Sequence, residues 1–373
     1  MEHEGSITRY VKMFLIQWSI FVDAPNFELG LSGGCRRKHG LQYWNIDGGR
    51  DSMKKLMAIG EALIDFIPGQ TGRQIKQVES FQPVVGGAPA NVCGAYVKLG
   101  GQADMITQLG VDPFGDKIVD EFKQFGIGTE YVQRTAKANT SLAFVALEDN
   151  GNREFSFYRN PGADMLLEAD TIQKSWFENL FALHFCSVSL GNFPMKEAHR
   201  RAIQYAKEQG ALISFDPNLR FALWEDVEEL RRVVLEFMPM AHVLKISDEE
   251  LEFITGKTSI GEAKELLFAG DTQLVIFTKG KDGAEAYTRD SFGSAAGCVV
   301  KATDTTGAGD AFIGSFLYKL SEAGVTPENA GNLQAEQLGQ FLAFSNQYCG
   351  VSVTKAGAIA SYPTMEEMKK IGK

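Results

Sequence analysis

Short apolar runs alternate with amphipathic stretches through the middle of this chain, and that alternation restricts its fold more than any other feature. Ala182 to Val188 reads as a strand, Pro194 to Gln209 as a helix, and Ala211 to Phe215 as a strand again. His242 to Ile246 and Leu274 to Gly280 repeat the short apolar pattern further on. A parallel strand pair needs a long crossover, and a helix is the usual one, so this order predicts a parallel sheet covered by helices. Met57 to Phe66 is a near-continuous apolar run, which suits a strand buried on both faces. It ends at Asp65. Ligand crevices in open α/β sheets lie at the carboxyl ends of strands, where an acid can accept hydrogen bonds from hydroxyl groups. A loop acid facing solvent is the alternative for Asp65.

The 373 residues, 44% hydrophobic with 39 glycines and 26 phenylalanines, suffice for a large core in one big or two modest domains. A formal charge of −10 argues against nucleic acid or an anionic membrane as the main partner. The five cysteines (Cys35, Cys93, Cys186, Cys298, Cys349) are scattered, with no CxxC pair. They suggest neither a disulfide framework nor a zinc site, and a reducing cytoplasm is the simpler setting. The five histidines form no metal-binding pair.

Residues 1–52 read differently from the rest and are expected to be an extension outside the fold. Their apolar patch, Met13 to Val22, is too short to span a membrane. Six acids balance six bases, unlike an organellar presequence. The GxSxG match from Gly30 to Gly34 lacks a strand-turn-helix setting. A fresh strand begins at Met53-Lys54-Lys55.

The chemistry is expected at Asp304-Thr305-Thr306-Gly307-Ala308-Gly309-Asp310. The β-branched run from Cys298 to Thr303 reads as a strand before it. Ile313, Leu317 and Leu320 recur at helical spacing after it. Small residues at a helix start let an anion approach unpaired amides and the positive end of the dipole. Asp310 is the unusual member, a carboxylate inside an anion site. It reads either as a first-turn acid favoured by the dipole or as a base beside an incoming phosphoryl group. The turn is not a Rossmann fingerprint, because Phe312 stands where a glycine is needed. The Walker-like Thr255-Gly256-Lys257-Thr258 lacks its first glycine, Leu251 holding that place.

Other segments carry polar groups to similar places. Val84-Val85-Gly86-Gly87-Ala88-Pro89-Ala90-Asn91 sets paired glycines before a helix, with the donor and acceptor of Asn91 in its first turn. Ser141 to Leu147 and Arg153 to Tyr158 flank Asp149-Asn150-Gly151-Asn152 as a hairpin. Arg159-Asn160-Pro161-Gly162-Ala163-Asp164 follows it. Asp216-Pro217-Asn218-Leu219-Arg220 again lies at a strand's carboxyl end, held rigid by Pro217. Ser247-Asp248-Glu249-Glu250 opens a helix after the strand that carries Lys245.

From Leu56 to Pro363 these segments, in this order, resemble the pfkB/ribokinase family of sugar and nucleoside kinases. DTTGAGD is similar to the family's C-terminal signature and GGAPAN to its N-terminal one. GEALIDF, FYRNPGADMLL and DPNLR with the following Leu223-Trp224 look most like bacterial and plant fructokinases. The resemblance implies a three-layer α/β/α fold over 53–373, with a mostly parallel Rossmann-like sheet. It also implies a small β-sheet lid from about 67–83 and 139–160. The implied reaction is transfer of phosphate from ATP to D-fructose, with Asp310 as general base and Gly307, Ala308 and Gly309 as anion hole. Asp65, Gly86, Gly87, Asn91, Arg159, Asp216, Asn218 and Arg220 would bind the sugar. Lys245, Thr278, Gly280, Gly283 and Asn346 would serve the nucleotide. Glu250 would hold Mg²⁺ through water, and Asp304 with Thr306 and the turn at Gly357 would hold K⁺. Ser247 departs from the family's asparagine. Pairing of lids implies a homodimer. Kinases for ribose or 2-keto-3-deoxygluconate, and a non-catalytic sugar-binding regulator, share the same pattern.

Overall fold

A computed structural model describes residues 55–371, apart from Thr71 and residues 148–152. The extension over 1–52 and the Asp149 to Asn152 turn fall outside the described residues.

The chain builds two sheets. The larger has the order β14-β13-β12-β11-β10-β9-β1-β4-β5, with β6 also paired to β4. Its members are β1 (Lys55–Ile59), β4 (Ala103–Gly110), β5 (Ile127–Gly128), β6 (Val132–Thr135), β9 (Leu180–Cys186), β10 (Leu212–Asp216), β11 (Val243–Ser247) and β12 (Leu274–Thr278), then β13 (Ala284–Tyr287) and β14 (Phe292–Ala295). All pairs are parallel up to β12; β13 and β14 close one edge antiparallel. The smaller sheet, the lid, has the order β3-β2-β7-β8, from β2 (Leu63–Pro68), β3 (Phe81–Gly86), β7 (Leu142–Leu147) and β8 (Arg153–Tyr158).

Helices cover both faces of the large sheet, because alternate residues of each buried strand point to opposite sides. Leu56 and Ala58 of β1 join the layer of α1 (Ala88–Lys98), α2 (Pro113–Phe125), and two helices from the C-terminal third. Met57 and Ile59 join the opposite layer, of α3 (Met195–Glu208), α4 (Val227–Phe237), α5 (Asp248–Thr255) and α6 (Ile260–Leu267). The C-terminal helices are α7 (Ala308–Glu322), α8 (Ala335–Ser352) and the short α9 (Met365–Ile371). This is the three-layer α/β/α fold with a β lid that the sequence resemblance implies. Among the described residues, no helix is long and apolar enough to cross a membrane.

Three expectations need correction. The run Met57 to Phe66 is not one strand. It breaks at Gly60, whose φ of +152° turns the chain hard against Pro89, and its second half leaves for the lid as β2. Asp65 therefore lies within a lid strand, not at the end of a core strand. The lid's other early strand is β3, so Gly86 ends a strand, and the 67–83 interval holds mainly the connection between β2 and β3. Finally, Cys298 to Thr303 forms no strand. It runs past the edge strand β14, where β-branched residues find no partner ladder. Val299 is 96% exposed, and the Thr303 and Asp304 amides donate instead to the Val353 carbonyl at the end of α8.

α1 and α7 cross at very short range. A Cβ on Gly314 would lie 2.7 Å from Ala95 Cβ and 2.9 Å from the Val92 carbonyl. We expect Gly314→Ala to push these helices apart and to cost about 1–3 kcal/mol, as overpacked cores do. Urea unfolding measures it, and an unchanged midpoint would show that the crossing has slack.

Candidate functional site

The crossing of α1 and α7 brings the two glycine turns together at the carboxyl ends of the strands. Gly87 caps α1 with φ +112°, and any side chain there would strike the Glu61 carbonyl at 2.5 Å. Gly307 caps α7 with φ +73°, and a Cβ there would meet the Tyr362 hydroxyl at 2.4 Å. That hydroxyl donates to the Gly307 carbonyl at 2.8 Å and fixes the turn.

Asn91, in the first turn of α1, donates from Nδ2 to Asp310 Oδ2 at 2.9 Å. The two residues are 219 positions apart in the chain and both are buried. Burial raises the pKa of Asp310 above the ordinary carboxylate value. The Asn91 hydrogen bond and the charges of Arg220 and Lys245 work against that rise. The result is a carboxylate that takes a proton more readily than a surface acid yet sits among groups that favour its charge.

Lys245 of β11 supplies the fixed positive charge. Its Nζ lies 3.0 Å from Asp216 Oδ2 at the end of β10, both side chains being almost wholly buried. It also stands 3.6 Å from the point where a Cβ on Gly309 would be. Burial disfavours the ammonium, but Asp216, Glu250 and Asp310 outweigh it and lift the Lys245 pKa above the usual lysine value. The ammonium thus remains charged beside the turn. Asp216 is the partner of Lys245, and its Oδ1 also receives the Asn218 amide at 3.2 Å. Asn218 takes a left-handed φ of +44°, a conformation asparagine tolerates.

Several residues assigned from the sequence are occupied within the fold. The Ala308 amide donates to the Thr305 carbonyl at 3.2 Å, closing the turn, so it is not open to an anion. Gly309, exposed in the first turn of α7, is the part of the Gly307-Ala308-Gly309 run that faces outward. Arg159 is held at the lid base. Its guanidinium grips the buried Asp164 at 2.5 Å. Glu250 spends both carboxylate oxygens on backbone, receiving the Ser247 amide at 2.8 Å and the Leu219 amide at 3.1 Å. Ser247, in turn, caps α5 by accepting from the Glu250 amide. Glu250 therefore holds the 216–220 loop. Asn346 donates to the carbonyls of Ala295 and Ala296 at 3.1 and 3.0 Å, tying α8 to the chain beyond β14.

The remaining assignments lie in turns and at strand ends, apart from Asp65 and Gly86, which belong to the lid strands β2 and β3. Thr278 ends β12, and Gly280 (φ +52°) and Gly283 (φ +97°) shape the turn after it. A Cβ on Gly283 would collide with the Ala295 carbonyl at 2.2 Å. Asp65 packs its carboxylate on Gly86, whose Cβ would lie 2.0 Å from Oδ2. Asp304 accepts from the Thr306 amide and hydroxyl at 2.9 and 2.7 Å and from the Gly357 amide at 3.0 Å. Among the described residues, no three His, Cys, Asp or Glu side chains gather into a metal-binding group. Glu61 was missed. It is buried just past β1, and only its place in a strand-like run hid it.

Comparison with known proteins follows the same outline. Residues 53–365 match the profile of the pfkB family carbohydrate kinases. Fructokinase-1 of Zea mays is 39% identical over 318 residues, spanning 85% of this chain and 97% of that protein. Fructokinase-2 of Solanum lycopersicum is 38% identical over 320 residues, spanning 86% and 96%. The crystal structure of fructokinase with bound ATP from Xylella fastidiosa superposes with a TM-score of 0.79 at 32% identity, covering 86% of this chain and 98% of that one. That of Vibrio cholerae fructokinase with fructose, ADP and calcium gives 0.76 at 33%, covering 86% and 99%.

Asn91→Ala removes a hydrogen bond that favours the ionised form of Asp310, so its pKa should climb further above the ordinary value. Carboxyl NMR titration of the two proteins reads this directly; an unchanged or lowered value would mean that the bond does not act on the charged form.

Proposed function

The chain belongs to the pfkB family of carbohydrate kinases, and from that premise we propose that it transfers phosphate from ATP to the primary hydroxyl of D-fructose, giving fructose 6-phosphate. The observation that carries this reading is the buried Asp310 carboxylate, hydrogen-bonded to Asn91 at the start of α7 and close to the Lys245 ammonium. A hydroxyl is a weak nucleophile while protonated. Asp310 accepts its proton as the oxygen forms a bond to phosphorus and the bond to the leaving ADP breaks. The first turn of α7 at Gly309 and the charge on Lys245 stabilise the negative charge that develops on the phosphoryl group. ATP, when bound, supplies that group, with Mg²⁺ as the expected companion of its phosphates.

The residues present suit such an ion only when the nucleotide's own oxygens and water complete its shell, since no protein cluster is preformed among the described residues. Glu250, buried beneath the 216–220 loop, would act on it through the residues it holds. Thr278, Gly280 and Gly283 lie at the carboxyl end of the sheet, on the side where the nucleotide is expected. Asp65, Gly86, Gly87, Asn91 and Arg220 would face the sugar. The Asp304 clasp on Thr306 and Gly357 supports a monovalent cation there, K⁺ being the ion expected. Phe155 and Tyr158 of β8 are 42% and 64% exposed, which supports a homodimer joined through the lid. The buried free thiols of Cys93 and Cys186 suit a reducing cytoplasm.

Two experiments test this. In a coupled ADP assay, D-fructose should give the highest kcat/KM of a panel that includes ribose and 2-keto-3-deoxygluconate; a better substrate among the others reassigns the sugar, and no turnover with any supports a non-catalytic regulator. Asp310→Asn should keep affinity for ATP and sugar within severalfold and lose at least ~10²-fold in kcat, the lower end of general-base effects. A variant that kept most of its turnover would take Asp310 out of the mechanism.

A further inference from the structure

The lid joins the core at four points in the chain, and one buried polar cluster touches all four. β1 passes into β2 through Gly60, Glu61 and Ala62. β3 returns through Gly87 into α1. Residues 136–141 lead into β7, and residues 159–163 leave β8. Glu61 Oε1 accepts from the Ala88 amide at 3.2 Å, and Oε2 accepts from the Ser189 hydroxyl at 3.0 Å. Arg159 donates to Asp164 Oδ2 from Nε at 2.9 Å and Nη2 at 2.5 Å, and Nη2 also donates to Ser189 Oγ at 3.3 Å. Its Nη1 reaches the Val188 carbonyl at 3.3 Å. Ser141 Oγ donates to Asp164 Oδ1 at 2.5 Å. Ser189 thus bridges Glu61 to Arg159, and Asp164 bridges Arg159 to Ser141.

None of this is surface chemistry. Glu61 is 3% exposed, Asp164 and Ser141 1%, and Ser189 is fully buried. The cluster closes on bare backbone at Gly162, where a Cβ would lie 1.9 Å from Ser141 Oγ and 2.8 Å from Asp164 Oδ1. Two buried carboxylates and a guanidinium are costly to desolvate, and an apolar plug would hold a static joint as well. What the polar version adds is direction. Each bond fixes one crossing relative to the next. Glu61 and Ser189 also lie just past β1 and β9, the neighbouring strands where the sheet order reverses and a ligand crevice opens. From Glu61 a single hydrogen bond reaches the first residue of α1, the helix that presents Asn91 to Asp310.

We propose that Glu61 is a positioning residue for the sugar site: with Ser189, Arg159 and Asp164 it latches the four lid joints to the N-terminus of α1, so that Asp65, Gly86, Gly87 and Asn91 meet the sugar in one arrangement. The proposal rests on the kinase reading above. It also gives Arg159 a role in the latch in place of the sugar contact expected from the sequence. Burial raises the Glu61 pKa to about 7, against the opposing charge of Arg159.

The test is steady-state kinetics of Glu61→Gln, Ser189→Ala and the double variant at about pH 8, above the Glu61 value, with hydrogen exchange of the 142–147 amides in the absence of ligand. Glu61→Gln should raise the sugar KM at least about tenfold and leave the ATP KM within about twofold. Ser189→Ala should shift the same constant in the same direction. The double variant should be no worse than the worse single one, because both act on the same Glu61–Ser189 bridge, one by removing its charge and the other its hydroxyl. Exchange in β7 should quicken in both single variants. Equal rises in both KM values, effects that multiply in the double variant, or an unchanged sugar KM would each overturn the latch. Should Glu61→Gln not fold, Ser189→Ala, which loses one hydroxyl, decides by the same split. A wild-type protein that phosphorylates no sugar would sink the kinase reading alone; the latch would then stand or fall on lid exchange.

Discussion

One hydrogen bond, from Asn91 Nδ2 to Asp310 Oδ2, depends on nearly everything else in this structure. It needs α1 and α7 to cross closely, which the missing side chain at Gly314 permits. It needs both helices to start at the same end of the sheet, which the two glycine caps provide. The energetic balance is also specific. An isolated buried carboxylate would face a desolvation penalty of several kcal/mol even after relaxation. A hydrogen bond to a charged group returns about 1.5–3 kcal/mol, so Asn91 alone offsets only part of the penalty. The Lys245 and Arg220 charges supply more, and the pKa still settles above that of a surface acid. The base proposed here, which must be ionised to act yet must take a proton during the reaction, is served by that compromise.

Lys245 shows the same logic with the sign reversed. Its ammonium is buried, so it would lose its proton without a close anion. Asp216 supplies one at 3.0 Å, and Glu250 adds a second carboxylate from the start of α5. Removing one partner from a buried pair costs about 3–5 kcal/mol, because the other is left charged and alone. Asp216 therefore keeps Lys245 charged and aimed. Charge beside Gly309 is fixed before any nucleotide arrives, which is what electrostatic preorganisation requires.

The legible parts of the fold were those set by local chemistry. Glycine pairs before helices, an Asn at a first turn and apolar strands ending in acids gave the sheet, the helix starts and the positions of Asn91, Lys245 and Asp310. The misread strands came from contacts between separate segments. Nothing local marks Gly60 as the place where one apolar run divides between two sheets; the contact that leaves no room for a side chain there is Pro89, 29 residues on. Cys298 to Thr303 has strand composition, but a strand needs a neighbour, and the sheet ends at β14. Glu250, Asn346 and Arg159 have the right residue types for ligand contacts. They also hydrogen-bond with Leu219, Ala295 and Asp164, partners 31, 51 and 5 residues away, and residue type carries no record of that.

The misread run also has a mechanical consequence. Because β1 and β2 are one continuous stretch of chain divided only by Gly60 to Ala62, the lid is not a separate unit on a flexible tether. It is the continuation of β1, an interior strand of the core sheet. β2 lies between β3 and β7 in the lid, as β1 lies between β4 and β9 in the core. A rotation of one sheet against the other must therefore be absorbed at the four joints, and the shortest of them, Gly60 to Ala62, holds Glu61, which is bonded to Ala88 and Ser189 on the core side. Hinges work by concentrating backbone change at a few element ends. Here those same ends carry the residues proposed to meet the sugar, so under that reading lid posture and site geometry are mechanically one variable.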